Sequence, residues 1–203
     1  MENVLETAKQ LTATKEQQTQ EKPINMRTWA EWFQINLCGD ENIEAMVEAA
    51  ARWCISVKSG EKPHWLVLLG SSGIGKTLIT DRVWKWLKSR PDFRSDGDYD
   101  PVKLYWPEFT QKLRSGEAWG IRTASMRWPY CYLDDICAEN VSNYTGEELN
   151  ALLGARVGRW TIVTSNKLME DLGDLDCRIA SRLIRDGARM VEAVTQDYNV
   201  RMK

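Results

Sequence analysis

The sequence predicts an α/β fold in which a parallel sheet is covered by helices on both faces. Three observations predict it. Short apolar runs, "HWLVLLG", "VKLYW", "YCYLDD", "RWTIVTSN" and "ARMVEAV", alternate along the chain with segments of helical periodicity. The first of these runs opens into the glycine-rich turn "GSSGIGKT", and a helical segment follows directly. The run ending in Asp134 and Asp135 is a buried strand that stops on two acids.

The elements follow in order. Residues 1–24, "MENVLETAKQLTATKEQQTQEKPI", are polar and rich in Lys, Glu, Gln and Thr. They read as a flexible or marginally helical tail, or as a docking arm with Val4, Leu5, Ala8 and Leu11 as a short apolar stripe. Residues 25–60 form a helical linker into the core; within them "NIEAMVEAAARWCISV" (42–57) is alanine-rich, carries apolar residues at helical spacing and ends at the breaker "KSGEKP". Residues 61–203 are expected to form one nucleotide-binding domain. After the glycine turn, "KTLITDRVWKWLKSR" is a helix that buries Ile79, Val83 and Leu87, which recur every four residues. Trp84 and Trp86 lie roughly 200° apart on it, so one of the two is partly exposed or in an interface.

"PDFRSDGDYDP" is a polar loop, "VKLYW" (102–106) a strand, and "PEFTQKLRSG" a short helix with proline at its start. "EAWGIRTASMRWP" reads as irregular. Then come the strand 130–135, the helix "TGEELNALLGARV", the strand "RWTIVTSN", a helix "DCRIASRLIRDG" ending at Gly187, and a last strand, "ARMVEAV".

The chain has 203 residues, 43% hydrophobic and 28% charged, the profile of a soluble globular protein with room for a real core. A net charge of −2 gives no global attraction to nucleic acid, so any such contact needs a local basic patch. Five cysteines form no CxxC pair, which argues against a disulfide framework, and the lone His64 leaves little for a zinc site. With no signal peptide and no apolar run near 18 residues, the expected compartment is the cytoplasm. The ten tryptophans are expected to lie mostly in the core or in interfaces.

"GSSGIGKT" matches the G-x-x-x-x-G-K-[ST] phosphate loop in full. Gly70, Gly73 and Gly75 let backbone N–H groups, those of Ser71, Ser72 and Ile74 among them, turn around phosphate oxygens. The helix start, through Leu78, adds its partial positive charge. Lys76 is expected to reach the β- and γ-phosphates of ATP, and the Thr77 hydroxyl to ligate Mg²⁺. Asp134 is placed to hold that magnesium through a water, and Asp135 to polarise the attacking water. Asp135 is a methylene shorter than the glutamate common at such a position, a deficit of about 1.5 Å. Asn166, at the end of "TIVTSN", can donate to one reacting group and accept from another. Arg178 and Arg182, four apart, project from one helix face.

Taken together, "LDDICAENVSNYTGEEL", "TIVTSN" and "DCRIASRLIRDG" resemble the AAA+ ATPases that load replicative helicases in bacteria and phages (the DnaC/DnaI type), and the related IstB transposition helper. The likeness runs from about residue 45 to the end. It implies a P-loop sheet in the order 5-1-4-3-2, ATP and Mg²⁺ in the cleft, and a ring or spiral homo-oligomer on single-stranded DNA. By resemblance, Asp134 is the Walker B acid, Asp135 its partner, Asn166 sensor 1, Arg182 an arginine finger supported by Arg178, and Arg201 a late arginine near the nucleotide. Against full-length loaders only about 40 residues precede the core here, and no helix-turn-helix domain of the DnaA-initiator type is expected after it.

Between Lys112 and Trp128, the cations Lys112, Arg114, Arg122 and Arg127 stand against Glu117, with Trp119 among them, a composition suited to a single strand's phosphates and bases or to an ordinary solvated loop. The leading expectation is an ATP-switched loader of a replicative DNA helicase, with weak ATPase activity alone. The alternatives are a transposase helper on duplex DNA, a small nucleotide or metabolite kinase, and a binding module that does not hydrolyse.

Overall fold

The computed structural model describes residues 23–37, 39–90, 102–138 and 142–194. Two helices come first, α1 (Met26–Phe33) and α2 (Glu41–Ser59). Asn25 caps α1, accepting from the Thr28 N–H, and Asp40 caps α2, accepting from Asn42 and Ile43. Then follow β1 (Trp65–Gly70), α3 (Lys76–Ser89), β2 (Val102–Tyr105), α4 (Trp106–Arg114), α5 (Trp119–Arg127) and β3 (Tyr130–Asp134). The remainder is α6 (Asn143–Ala155), β4 (Trp160–Ser165), α7 (Met169–Leu175), α8 (Cys177–Leu183), a 3₁₀ turn (Arg185–Gly187) and β5 (Arg189–Ala193).

All strand pairings are parallel, and the order is β2-β3-β4-β1-β5. Read from the other edge this is 5-1-4-3-2, the expected arrangement. Strand β1 is buried along its whole length, as a central parallel strand must be. Its alternate residues separate the two cores. Leu66 and Leu68 join Phe33, Met46, Trp53, Ile79, Val83 and Leu87 on the face covered by α1, α2 and α3. Trp65, Val67 and Leu69 join Trp106, Leu133, Leu149, Leu153, Val163 and Ile179 on the face covered by α4 to α8. Both helices of the 25–60 region therefore pack into the first core, and α2 lies along β5 and β1.

Some local expectations are corrected. Residues 117–129 are not irregular: Trp119–Arg127 is a helix. Gly120 and Thr123 give it poor intrinsic propensity, and no side chain caps its start. Tertiary contact holds it instead, with Ile121, Ala124 and Met126 on the second core and Arg122 paired to Glu148 on α6 at 2.6 Å. Trp106 belongs to a helix start rather than to the strand before it, because Pro107 fits a first helical turn. The helix expected to run to Gly187 stops at Leu183 and tightens into the 3₁₀ turn.

Trp84 is buried and Trp86 is the partly exposed member of the pair, edge-on to Trp32 with Arg90 over its ring. Trp119, by contrast, is 75% exposed. No helix among the described residues is long and apolar enough to cross a membrane.

Candidate nucleotide site

The C-terminal ends of β1, β3 and β4 open on one cleft of about 520 Å³, where open α/β sheets bind their ligands. It is lined by Ser72, Gly73, Gly75, Lys76, Thr77, Leu78, Tyr105, Asp134, Asp135, Thr164 and Asn166. The parallel register does the gathering. Because β4 lies between β1 and β3, Asn166 stands between the glycine turn and the acid pair.

Gly73 and Gly75 have φ of +76° and +95°, a left-handed geometry that L side chains rarely adopt. Gly70 meets a separate constraint, since a Cβ there would collide with the carbonyl of Ala193 on β5. The Ser71 N–H donates to that same carbonyl at 3.2 Å, so it ties the turn to the sheet edge instead of facing the cleft. Ile74 turns its side chain into the core. Lys76 is 5% exposed, and its ammonium donates to the carbonyls of Gly70 and Ser71, both at 2.7 Å, and to Asn166 Oδ1 at 3.0 Å. Burial lowers its pKa to about 8, against the pull of Asp135 and Asp134, which raise it.

The acids are held differently. Asp134 is buried, and its Oδ1 accepts from Thr164 Oγ1 at 2.7 Å, from Tyr132 Oη at 2.8 Å and from Thr77 Oγ1 at 3.3 Å. Asp135 sits at φ +59°, a position its short polar side chain tolerates. Its N–H donates to Thr164 Oγ1 at 2.9 Å, and its Oδ1 accepts from Asn166 Nδ2 at 2.7 Å. Lys103, on β2, reaches Asp81 at 2.6 Å and stands 3.8 Å from Asp134 Oδ2.

These residues fit a magnesium nucleotide. Thr77 offers a hydroxyl oxygen beside a carboxylate, the hard donors Mg²⁺ prefers. Among the described residues no three His, Cys, Asp or Glu side chains form a metal cage, so a cation here would take its further ligands from phosphates and water.

The expected arginines stand apart from the cleft. Arg178 is exposed and holds Asp176, the α8 N-cap, at 2.8 Å. Arg182 lies against α6, donating to the Asn150 carbonyl, and Gly154 leaves it room, since a Cβ there would fall on its guanidinium. The expected late arginine, Arg201, lies outside the described residues, as does nearly all of the 1–24 segment. In the basic segment, Lys112 pairs with Glu108 at 2.7 Å and Arg122 with Glu148, two acids the linear reading did not count against them. Arg114 and Arg127 are exposed near Trp119 in sequence.

Sequence reasoning missed Thr164, Tyr132, Thr80 and Lys103. Tyr132 carried one usable signal: two residues before Asp134 on a strand, it shares that acid's face.

No protein-family model matches the chain, and no curated protein sequence does. Solved structures do. The chain is similar to the crystal structure of DnaI, at 24% identity and a TM-score of 0.62, over 78% of this chain and 88% of that one. The chain has the AAA+ fold. The same AAA+ fold relates it to a DnaC helicase loader, at 15% identity and a TM-score of 0.56, over 75% and 90% of the two chains. It also relates it to a replication initiator DnaA bound to AMPPCP and single-stranded DNA, at 18% identity and a TM-score of 0.60, over 77% of this chain and 47% of that one.

Proposed function

We propose that this protein is an ATP-dependent AAA+ loader that places a replicative DNA helicase on single-stranded DNA. The observation that carries the nucleotide part is the convergence of Lys76, Thr77, Asp134, Asp135 and Asn166 on one cleft. The loader part rests on the "LDDICAE" and "RIASRL" resemblance and on a fold shared with DnaI over most of both chains.

In this reading Lys76 and the glycine turn bind the phosphates, and Thr77 and Asp134 hold Mg²⁺. Bound magnesium would neutralise charge on the phosphoryl oxygens. Asp135 orients the attacking water, and the Asn166 amide links that acid to the Lys76 side of the cleft. Turnover in the isolated chain is slow, because Asp135 is short and Arg182 rests on its own α6. Self-assembly into a ring or spiral brings a neighbour's Arg182, with Arg178 beside it, to the cleft. Trp119, with Arg114 and Arg127, supplies a stacking face and phosphate contacts for the single strand.

Co-purification with a replicative helicase tests the proposal. Binding should require ATP, respond to single-stranded DNA, and vanish with Lys76→Ala. Helicase binding that ignores both ATP and Lys76→Ala would overturn it. Preference for duplex DNA and a transposase would favour the transposition-helper reading.

A further inference from the structure

The oxygen of Asp134 that three hydroxyls grip is already committed within the chain. Oδ1 accepts from Thr164, Tyr132 and Thr77. A carboxylate oxygen has about two good lone-pair directions, so Oδ1 is saturated and Oδ2 is the oxygen turned to other partners. Tyr132 has one proton, which goes to the carboxylate, because an ionised carboxylate only accepts. Thr80 Oγ1 lies 2.6 Å from the phenol oxygen, 2.9 Å from the Lys76 carbonyl and 3.2 Å from the Thr77 carbonyl. The result is a hydroxyl relay on one face of the sheet: Thr80 on α3 abuts the phenol of Tyr132 on β3, which donates to Asp134. Thr80 and Tyr132 are both fully buried, so no water competes for these hydrogen bonds.

The relay has a consequence for the cation side of the cleft. Thr77 spends its proton on Asp134 Oδ1 and keeps its lone pairs for a metal. We propose that Tyr132 is a positioning residue for the magnesium site: with Thr80 behind it and Thr164 beside it, it fixes the Asp134 carboxylate so that Oδ2 and the Thr77 oxygen face the cation together. The phenol is suited to this task. Its hydroxyl is fully buried and stands 2.8 Å from Asp134 Oδ1. Thr164 does a second job, since its oxygen also receives the Asp135 N–H and so sets the two acids relative to each other. The inference rests on the nucleotide reading of the cleft.

The test is Mg²⁺-titrated binding of a fluorescent ATP analogue to the full chain, with ATP turnover measured in parallel. Tyr132→Phe keeps the ring and removes only the hydroxyl. It is expected to raise half-saturating Mg²⁺ by about tenfold, the low end for groups that orient a metal ligand. Metal-free nucleotide binding should stay within about twofold of wild type, because the phosphate loop is untouched. Thr80→Val should shift the Mg²⁺ titration in the same direction, and Thr80→Ser, which restores the hydroxyl, should bring it back. Thermal unfolding of each variant separates this from loss of structure, since a merely structural role would lower metal-free binding with it and would not be rescued in the Mg²⁺ titration alone. Wild-type binding with Mg²⁺ half-saturation unchanged in Tyr132→Phe overturns the positioning role and leaves the nucleotide reading intact. Absence of nucleotide binding by the wild type overturns both.

Discussion

The amide of Asn166 donates to Asp135 at 2.7 Å while its own oxygen receives the Lys76 ammonium at 3.0 Å. One side chain thus links the acid proposed to activate water with the cation proposed to hold phosphate. Asn166→Ala is expected to lower turnover by about 10²-fold, the scale for losing one preorganised polar group in an active site. ATP affinity should change far less, because Lys76 keeps its two backbone partners. Single-turnover kinetics beside equilibrium binding would check this. Equal losses in both would mean that Asn166 serves binding and not chemistry.

Lys76 should make nucleotide binding proton-linked. Its pKa is about 8 in the folded chain against an ordinary 10.5, with burial as the cause. Between those values the unfolded chain binds more protons, so this group's contribution to stability rises as pH climbs from about 8 to 10.5 and is least favourable below 8. A bound phosphate stabilises the ammonium, so ATP binding near pH 9 should take up a proton and binding at pH 6.5 should not. Calorimetry in buffers of different ionisation enthalpy measures the uptake. Asp135→Asn removes a charge that raises this pKa and should move the onset of uptake to lower pH.

Arg156 is expected to be a keystone of stability with no part in chemistry. It is fully buried and donates to Thr161 Oγ1 at 3.1 Å and to the carbonyls of Ser125, Pro129, Trp160 and Trp128. Those acceptors join the end of α5 to the starts of β3 and β4. Arg156→Met would orphan them and cost ~3 kcal/mol or more. For a chain of this size that corresponds to a melting temperature lower by roughly 6–12 °C. A melt within about 2 °C of wild type would refute the assignment.

Trp119 is the residue whose removal should separate DNA binding from ATP binding. If it stacks on a base, Trp119→Ala should weaken single-stranded DNA by about 1–3 kcal/mol. Arg114→Ala and Arg127→Ala should flatten the salt dependence of that affinity, and Lys112→Ala should do less, since Glu108 already holds it. Fluorescence anisotropy at several salt concentrations distinguishes the four variants.

Arg182 should matter only in the assembled protein. An arginine supplied in trans is worth about 10³ to 10⁵ in rate, so Arg182→Ala should remove most of any stimulation by self-association. Turnover at low protein concentration should be unaltered. Activity plotted against concentration for the wild type and the variant tests this, and parallel curves would exclude the role.

Much of the fold was legible because its signals are local. A fully apolar β1 leading into "GSSGIGKT" needs only strand propensity and glycine geometry to be read. Asp134, Asp135 and Asn166 could be named because each terminates an apolar run. Helix α5 was illegible for the opposite reason: Gly120 and Thr123 hide it, and its stability comes from Glu148 and the second core, neither of them near it in sequence. The linear reading of the basic segment left out Glu148, a neighbour of Arg122 only in space, and Glu108, four residues before Lys112 on the same helix.

What the sequence determined by itself was the glycine-rich turn, the acid pair and the alternation that demands a parallel sheet. What only the tertiary structure decided was how those parts are held. The insertion of β4 between β1 and β3 brings Asn166 to Lys76 and Asp135, and the face shared by α3 and β3 brings Thr80 to Tyr132. Hydrogen bonds between hydroxyls and carboxylates act over about 3 Å and carry no periodic mark in sequence, so their partners appear only when the strands are in register.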